Sequence, residues 1–158
     1  MKVGENSERV FDHGVFVPFL IIDPEAQIPV AMLSLQRDLD PAVHIAVGKA
    51  LAPLRDNGVA IVGSGMSYHD LKAFFDGDGR ASAAFDAWLD EAATKCDPET
   101  REARLIRWSE APFARACHPR EEHLIPLMVA AGAAGTDAGM RSFHDTIGGK
   151  TISGFRFG

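Results

Sequence analysis

The sequence predicts an α/β fold, a mostly parallel central sheet flanked by helices. Three successive features predict it. Residues 28–35 form an apolar run with Pro29 near its start, the pattern of a buried strand. Asp40-Pro41 then opens a helix, with the aspartate as N-cap and the proline in the first helical position. Val59-Ala60-Ile61-Val62 follows as a short continuous apolar run, which reads as a strand buried on both faces. Strand, helix and strand in that order make a βαβ unit, whose two strands lie parallel.

The remaining elements follow in chain order. Residues 1–12 are polar and read as a loop or loose arm of a single domain spanning 1–158. Val15 to Ile22 is rich in strand formers, but Pro18 cannot donate to a ladder, so a short helix or an edge segment is equally compatible. Asp23-Pro24-Glu25-Ala26 is a turn. Between residues 42 and 55, Val43, Val47, Ala50, Leu51 and Leu54 recur at helical spacing, and Asn57-Gly58 ends that helix. Residues 76–80 form a Gly/Asp loop. Residues 81–94 form an amphipathic helix with Phe85, Trp88 and Leu89 inward, and residues 98–108 a second helix. Residues 109–117 are irregular around Pro112. Pro119 begins a further helix with Glu121 and Glu122 in its first turn. Pro126 should kink it and release the carbonyl of Glu122. Residues 133–142 read as a loop and 151–157 as a last strand.

A chain of 158 residues suits one domain around one core. Apolar residues make up 46% and charged residues 24%, an ordinary balance for a globular protein. The formal charge is -6 and no Lys/Arg cluster stands out, which argues against a nucleic-acid partner. The polar start carries no signal peptide pattern, and the apolar run Val15–Ile22 is too short to span a membrane. Cys96 and Cys117 lack metal-type spacing and read as free thiols of a reducing compartment, so a cytoplasmic location is expected.

Four of the six histidines fall in three settings that suit chemistry. Asp12-His13-Gly14 permits a tight turn and an oriented imidazole, though a plain surface turn has the same composition. Gly63-Ser64-Gly65-Met66-Ser67-Tyr68-His69-Asp70 starts where a buried strand ends. In open α/β sheets ligands bind at that end, glycines let backbone approach them, and His69 is placed as an acid/base or a ligand. The bland alternative is a connecting loop with a half-exposed histidine. His118-Pro119-Arg120-Glu121-Glu122-His123 gathers two histidines, two glutamates and an arginine before an apolar helix. Complementing a helix dipole accounts for Glu121 but not for the flanking histidines. His44 lies in mid-helix and reads as a surface or packing residue. His144 falls in the loop-like stretch and receives no role.

Taken together, Asp12-His13-Gly14, Ser67-Tyr68-His69-Asp70-Leu71, Glu122-His123-Leu124-Ile125-Pro126-Leu127 and the final Gly154-Phe155-Arg156-Phe157-Gly158 resemble the DOPA-dioxygenase-like branch of the class III extradiol ring-cleavage dioxygenases. The resemblance runs from about Arg9 to Gly158 and covers the C-terminal half of that fold. It implies a non-haem metal, Fe(II) or Zn(II), and the opening of a catechol ring by insertion of dioxygen. His and carboxylate ligands with open positions suit that chemistry, because catechol and dioxygen must both reach the metal. By resemblance His69 is the acid/base, sometimes a metal ligand. His13 contacts substrate, and Glu122 or His123 is the late metal ligand. The family's N-terminal half, with a Gly-His-Gly-type motif and a second histidine, supplies the early ligands. Residues 1–12 contain no histidine, so weak metal binding is expected of this chain alone.

The resemblance thus implies part of a catechol-cleaving dioxygenase, a homo-oligomer or a chain completed by a partner that supplies the missing half. A non-catalytic dimerising module, or a small metal-binding protein derived from the fold, is the alternative.

Overall fold

The computed structural model describes residues 4–158. Its contacts divide into two compact units, one ending at Ser34 and one running from Leu35 to Gly158.

The first unit is built on helix α1, His13–Ile22. Asp12 caps it: its carboxylate accepts from the Gly14 N–H at 3.0 Å, and its carbonyl accepts from Val15 and Phe16. The helix prevails over the strand because capping satisfies the first donors locally, whereas a strand needs a neighbour. Pro18 lies inside α1, and no residue of the helix is buried; Leu20, Ile21 and Ile22 are exposed. Ahead of it, the Asn6 side chain accepts from the N–H groups of Glu8 and Arg9, and the Arg9 guanidinium donates to the Ser34 hydroxyl at 2.6 Å.

In the second unit, helix α2 spans Pro41–Leu51, with the Asp40 carboxylate accepting from Ala42 N at 2.7 Å. A 3-10 turn, Ala52–Asn57, continues it to Gly58. His44 proves to be a packing residue: buried, its Nδ1 donates to the Asp40 carbonyl and its Nε2 accepts from the Gln36 N–H. Helices α3, Arg80–Thr94, and α4, Pro98–Ile106, match the amphipathic reading, with Asp97 capping α4. After a short α5, Ala114–Cys117, helix α6 runs Ile125–Ala134. Phe85, Leu89, Leu105, Trp108, Leu124, Ile125 and Met128 form the fully buried centre. Strands β1, Gly139–Ile147, and β2, Lys150–Phe157, close the chain as an antiparallel pair.

Three expectations change. The antiparallel β1–β2 pair is the only sheet among the described residues, and residues 28–35 and 59–62 are not strands. A strand buried on both faces needs neighbours for its N–H and C=O groups. Residues 59–62 have no ladder, and Val62 is 64% exposed rather than buried. The helix expected from Pro119 starts at Ile125, so Pro126 occupies its first turn, where no N–H is required, and kinks nothing. The loop expected at 133–142 runs into β1. The signal passed over is Gly148-Gly149: both take positive φ, 57° and 78°, the backbone of a tight hairpin turn.

Candidate active site

Two stretches of the second unit are fastened side by side. The Met66 N–H donates to the His123 carbonyl and the His69 N–H to the Cys117 carbonyl, both at 2.9 Å. Between them the Ser67 carbonyl accepts from His118 Nε2 at 3.0 Å, which places the imidazole proton on Nε2. The Ser67 hydroxyl oxygen accepts from the Ser153 N–H of β2 at 2.8 Å. Gly65 permits the approach, because a Cβ there would collide with the His123 carbonyl oxygen. The outcome is that the His69 and His123 rings, far apart in sequence, stack face to face, 3.5 Å between centroids and 16° from parallel.

His118 belongs to the core. It is fully buried, with Phe85 and Trp108 presented edge-on to its ring at 5.3 and 6.0 Å. Burial pushes its pKa down from 6.5 to about 4, against the pull of the Ser67 carbonyl, so the ring is neutral at pH 7. Its Nδ1 is buried without a hydrogen-bond partner.

The acidic residues beside His123 are engaged. Burial raises the Glu121 carboxyl, but the Arg115 guanidinium at 2.6 Å outweighs it and holds the group below its ordinary value. Glu121 is not in a helical first turn; its carbonyl accepts from Leu124 and Ile125. The Glu122 carboxylate faces Arg120 at 3.0 Å and His123 Nδ1 at 4.0 Å.

Imidazole lone pairs lie in the ring plane, and a metal sits about 2.0–2.1 Å from nitrogen. Two parallel rings 3.5 Å apart direct their lone pairs side by side, not to one point. Among the described residues no group of three or more His, Cys, Asp or Glu side chains is arranged to hold an ion. His69, His123 and Glu122 are not gathered into such a group among the described residues.

His13 opens α1 in the first unit and is exposed. The sequence reading missed the surroundings of His144. That residue lies on β1, its Nδ1 3.0 Å from the Ser153 hydroxyl and 3.4 Å from the Asp86 carboxylate. Asp86 is buried on α3 and also faces Arg141 at 3.5 Å. The pairing of His144 with Ser153 follows from the hairpin register, so recognising Gly148-Gly149 as the turn would have located it.

A cavity of about 670 Å³ lies between residues 58–67, α6 and β2. It touches five consecutive residues of β2, Ser153 to Phe157. Successive strand residues point to opposite faces, so a cavity that meets all five runs along the strand's edge. Leu124, Leu127 and Ala130 contribute to its apolar wall.

The chain matches the LigB family model, described as the catalytic LigB subunit of aromatic ring-opening dioxygenase, over residues 1–155. It is 40% identical over 155 residues to a 4,5-DOPA dioxygenase extradiol of Beta vulgaris, covering 96% of this chain and 57% of that protein. A 4,5-DOPA dioxygenase extradiol of Portulaca grandiflora is 42% identical over 135 residues, covering 82% of this chain and 48% of the relative. The dioxygenase tasH of Hapsidospora irregularis is 34% identical over 162 residues, covering 95% and 50%. The chain thus spans about half the length of the curated relatives it matches. A crystal structure of an uncharacterized Escherichia coli K12 protein superposes with a TM-score of 0.82, at 24% identity, over 96% of this chain and 64% of that one. That likeness shows the fold.

Proposed function

This chain belongs to the LigB family of aromatic ring-opening dioxygenases, and from that premise we propose that it is the substrate-side part of an extradiol enzyme that opens a catechol with dioxygen. The stacking of His69 on His123 carries the reading, because it sets a proton-transfer group against a candidate ligand. His69 moves protons to and from the catechol hydroxyls, a role for which imidazole is suited near neutral pH. His123 supplies the late metal ligand, with Glu122 the other candidate, and His13 contacts the ring. Fe(II) or Zn(II) would be held by His123 or Glu122 together with ligands from a further polypeptide segment. When bound it supplies the site at which catechol and dioxygen meet.

A partner chain or a second copy completes the fold in this reading. Residues 59–62 and the outer edge of β2 carry backbone groups with no ladder, and the cavity between them suits an inserted strand. The parallel sheet expected from the sequence would form with such strands. No helix among the described residues is long and apolar enough to cross a membrane. Cys96 and Cys117 are both free thiols, which favours a reducing compartment such as the cytoplasm.

The test is reconstitution. The chain is mixed with the N-terminal half of a full-length relative, loaded with Fe(II), and given a catechol such as DOPA while dioxygen uptake is followed. Ring opening is expected, and His69→Gln should lower kcat by about 10²–10⁴-fold with a smaller change in KM. A metal-loaded complex that consumes neither catechol nor dioxygen overturns the proposal.

A further inference from the structure

We propose that His118 is a positioning residue for the His69–His123 pair, its Nε2–H holding the Ser67 carbonyl so that the two imidazoles meet. The site it occupies is otherwise apolar. Phe85 and Trp108 border it, and an aliphatic side chain of similar volume would fill it without leaving Nδ1 unpartnered. A buried polar group is costly unless a bond compensates it. The one bond His118 makes through its ring goes to Ser67.

The position of Ser67 explains what that bond does. On either side of it, Met66 and His69 are tied by backbone bonds to the His123 and Cys117 carbonyls, which survive any change of side chain at residue 118. The Ser67 peptide between them is held by His118 through its carbonyl and by β2 through its hydroxyl. Without the imidazole donor the carbonyl of the peptide joining Ser67 to Tyr68 loses its side-chain partner, and the plane can tilt between the flanking bonds. That tilt alters the direction in which His69 leaves the chain, and the face-to-face contact is lost. His118 itself need not touch substrate or metal.

This deepens the proposed proton-transfer role of His69 and rests on it only for the consequence in turnover. The geometry is testable on the metal-free chain by NMR of the histidine ring protons. Stacked at 3.5 Å, the His69 and His123 CH protons should be shifted upfield by each other's ring current. Those signals are assigned by their loss in His69→Gln and His123→Gln. Glutamine places an N–H near the position of Nε2, so His118→Gln should keep the upfield shifts. His118→Leu, which has no donor, and His118→Asn, whose donor is too short, should lose them. If the leucine variant fails to fold, the asparagine and glutamine variants decide the matter. If only glutamine folds and keeps the shifts, the bond is required. A folded His118→Leu or His118→Asn with the shifts intact overturns the proposal. So does a His118→Gln that loses them or does not fold. Failure of ring cleavage in reconstitution leaves this result untouched, because no metal or substrate enters it.

Discussion

The Lys150 ammonium donates to the carbonyl of Asp76 at 2.6 Å from a side chain that is 3% exposed. The Asp78 and Gly77 carbonyls lie at 3.3 and 3.5 Å. One cation at the start of β2 thus gathers three carbonyls of the loop that follows His69 and Asp70. Charged donors make stronger hydrogen bonds than neutral ones, and the buried lysine has few alternatives. Lys150→Met is expected to destabilise the protein by about 1.5–3 kcal/mol in urea unfolding. It should also speed proteolysis within residues 71–79 before the rest of the chain is cut. Unchanged cleavage there would show that the loop is held by Phe74 packing alone.

Phe85 is the joint of the core, in ring contact with Trp88, Trp108 and His118 and with no exposed surface. Phe85→Ala removes those contacts and leaves a cavity that surrounding helices cannot fully close. A loss of about 3–5 kcal/mol is expected, read from the urea midpoint at constant slope. A loss near zero would mean that the unit repacks around the gap.

His118 gives the fold a defined acid sensitivity. Its folded pKa, pushed down to about 4 by burial, lies below the 6.5 of an exposed histidine. Protons therefore bind the unfolded chain more readily. The contribution is fully present above pH 6.5, declines as pH falls through the interval from 6.5 to about 4, and is gone below it. The difference corresponds to roughly 3 kcal/mol. Urea titrations at pH 7 and pH 4.5 should show a smaller pH dependence for His118→Gln than for wild type. Equal slopes would mean that the imidazole becomes charged within the folded state.

The two thiols should separate by reactivity. Burial pushes the Cys117 thiol up to about 12, so almost no thiolate exists at pH 8, whereas Cys96 is partly exposed with the Arg104 guanidinium 3.6 Å from its sulfur. Iodoacetamide on the native chain should modify Cys96 and spare Cys117 until denaturant is added. Peptide mass analysis reads this directly, and early modification of Cys117 would reveal local opening near His69.

In the reconstituted enzyme, His123→Gln is expected to lower bound metal at least about tenfold, and Glu122→Gln much less. The Glu122 carboxylate is already occupied by Arg120 at 3.0 Å. Metal analysis of the two variants side by side checks this, and the reverse order would assign the ligand to Glu122.

Much of the local structure was written in short-range signals. Asp40-Pro41 and Gly58 bound the α2 segment because capping and proline geometry act within a few residues. Phe85 and Leu89 face inward because helical periodicity is a property of the segment itself. The motif around His69 and the motif around His123 were legible as chemistry-bearing, and the family with them. Their meeting was not. It depends on Gly65 admitting the His123 carbonyl and on a buried histidine holding Ser67, contacts between residues more than fifty positions apart. Likewise, the apolar runs at 28–35 and 59–62 state what those segments would prefer to be. Whether they become strands is decided by the presence of neighbours, since a ladder is made by two chains of backbone and cannot be encoded in one. The sequence by itself determined several helices and their caps and marked the residues of the proposed site. Tertiary structure alone decided which imidazoles face each other and which backbone edges stay open, because burial, stacking and strand pairing are relations between distant segments.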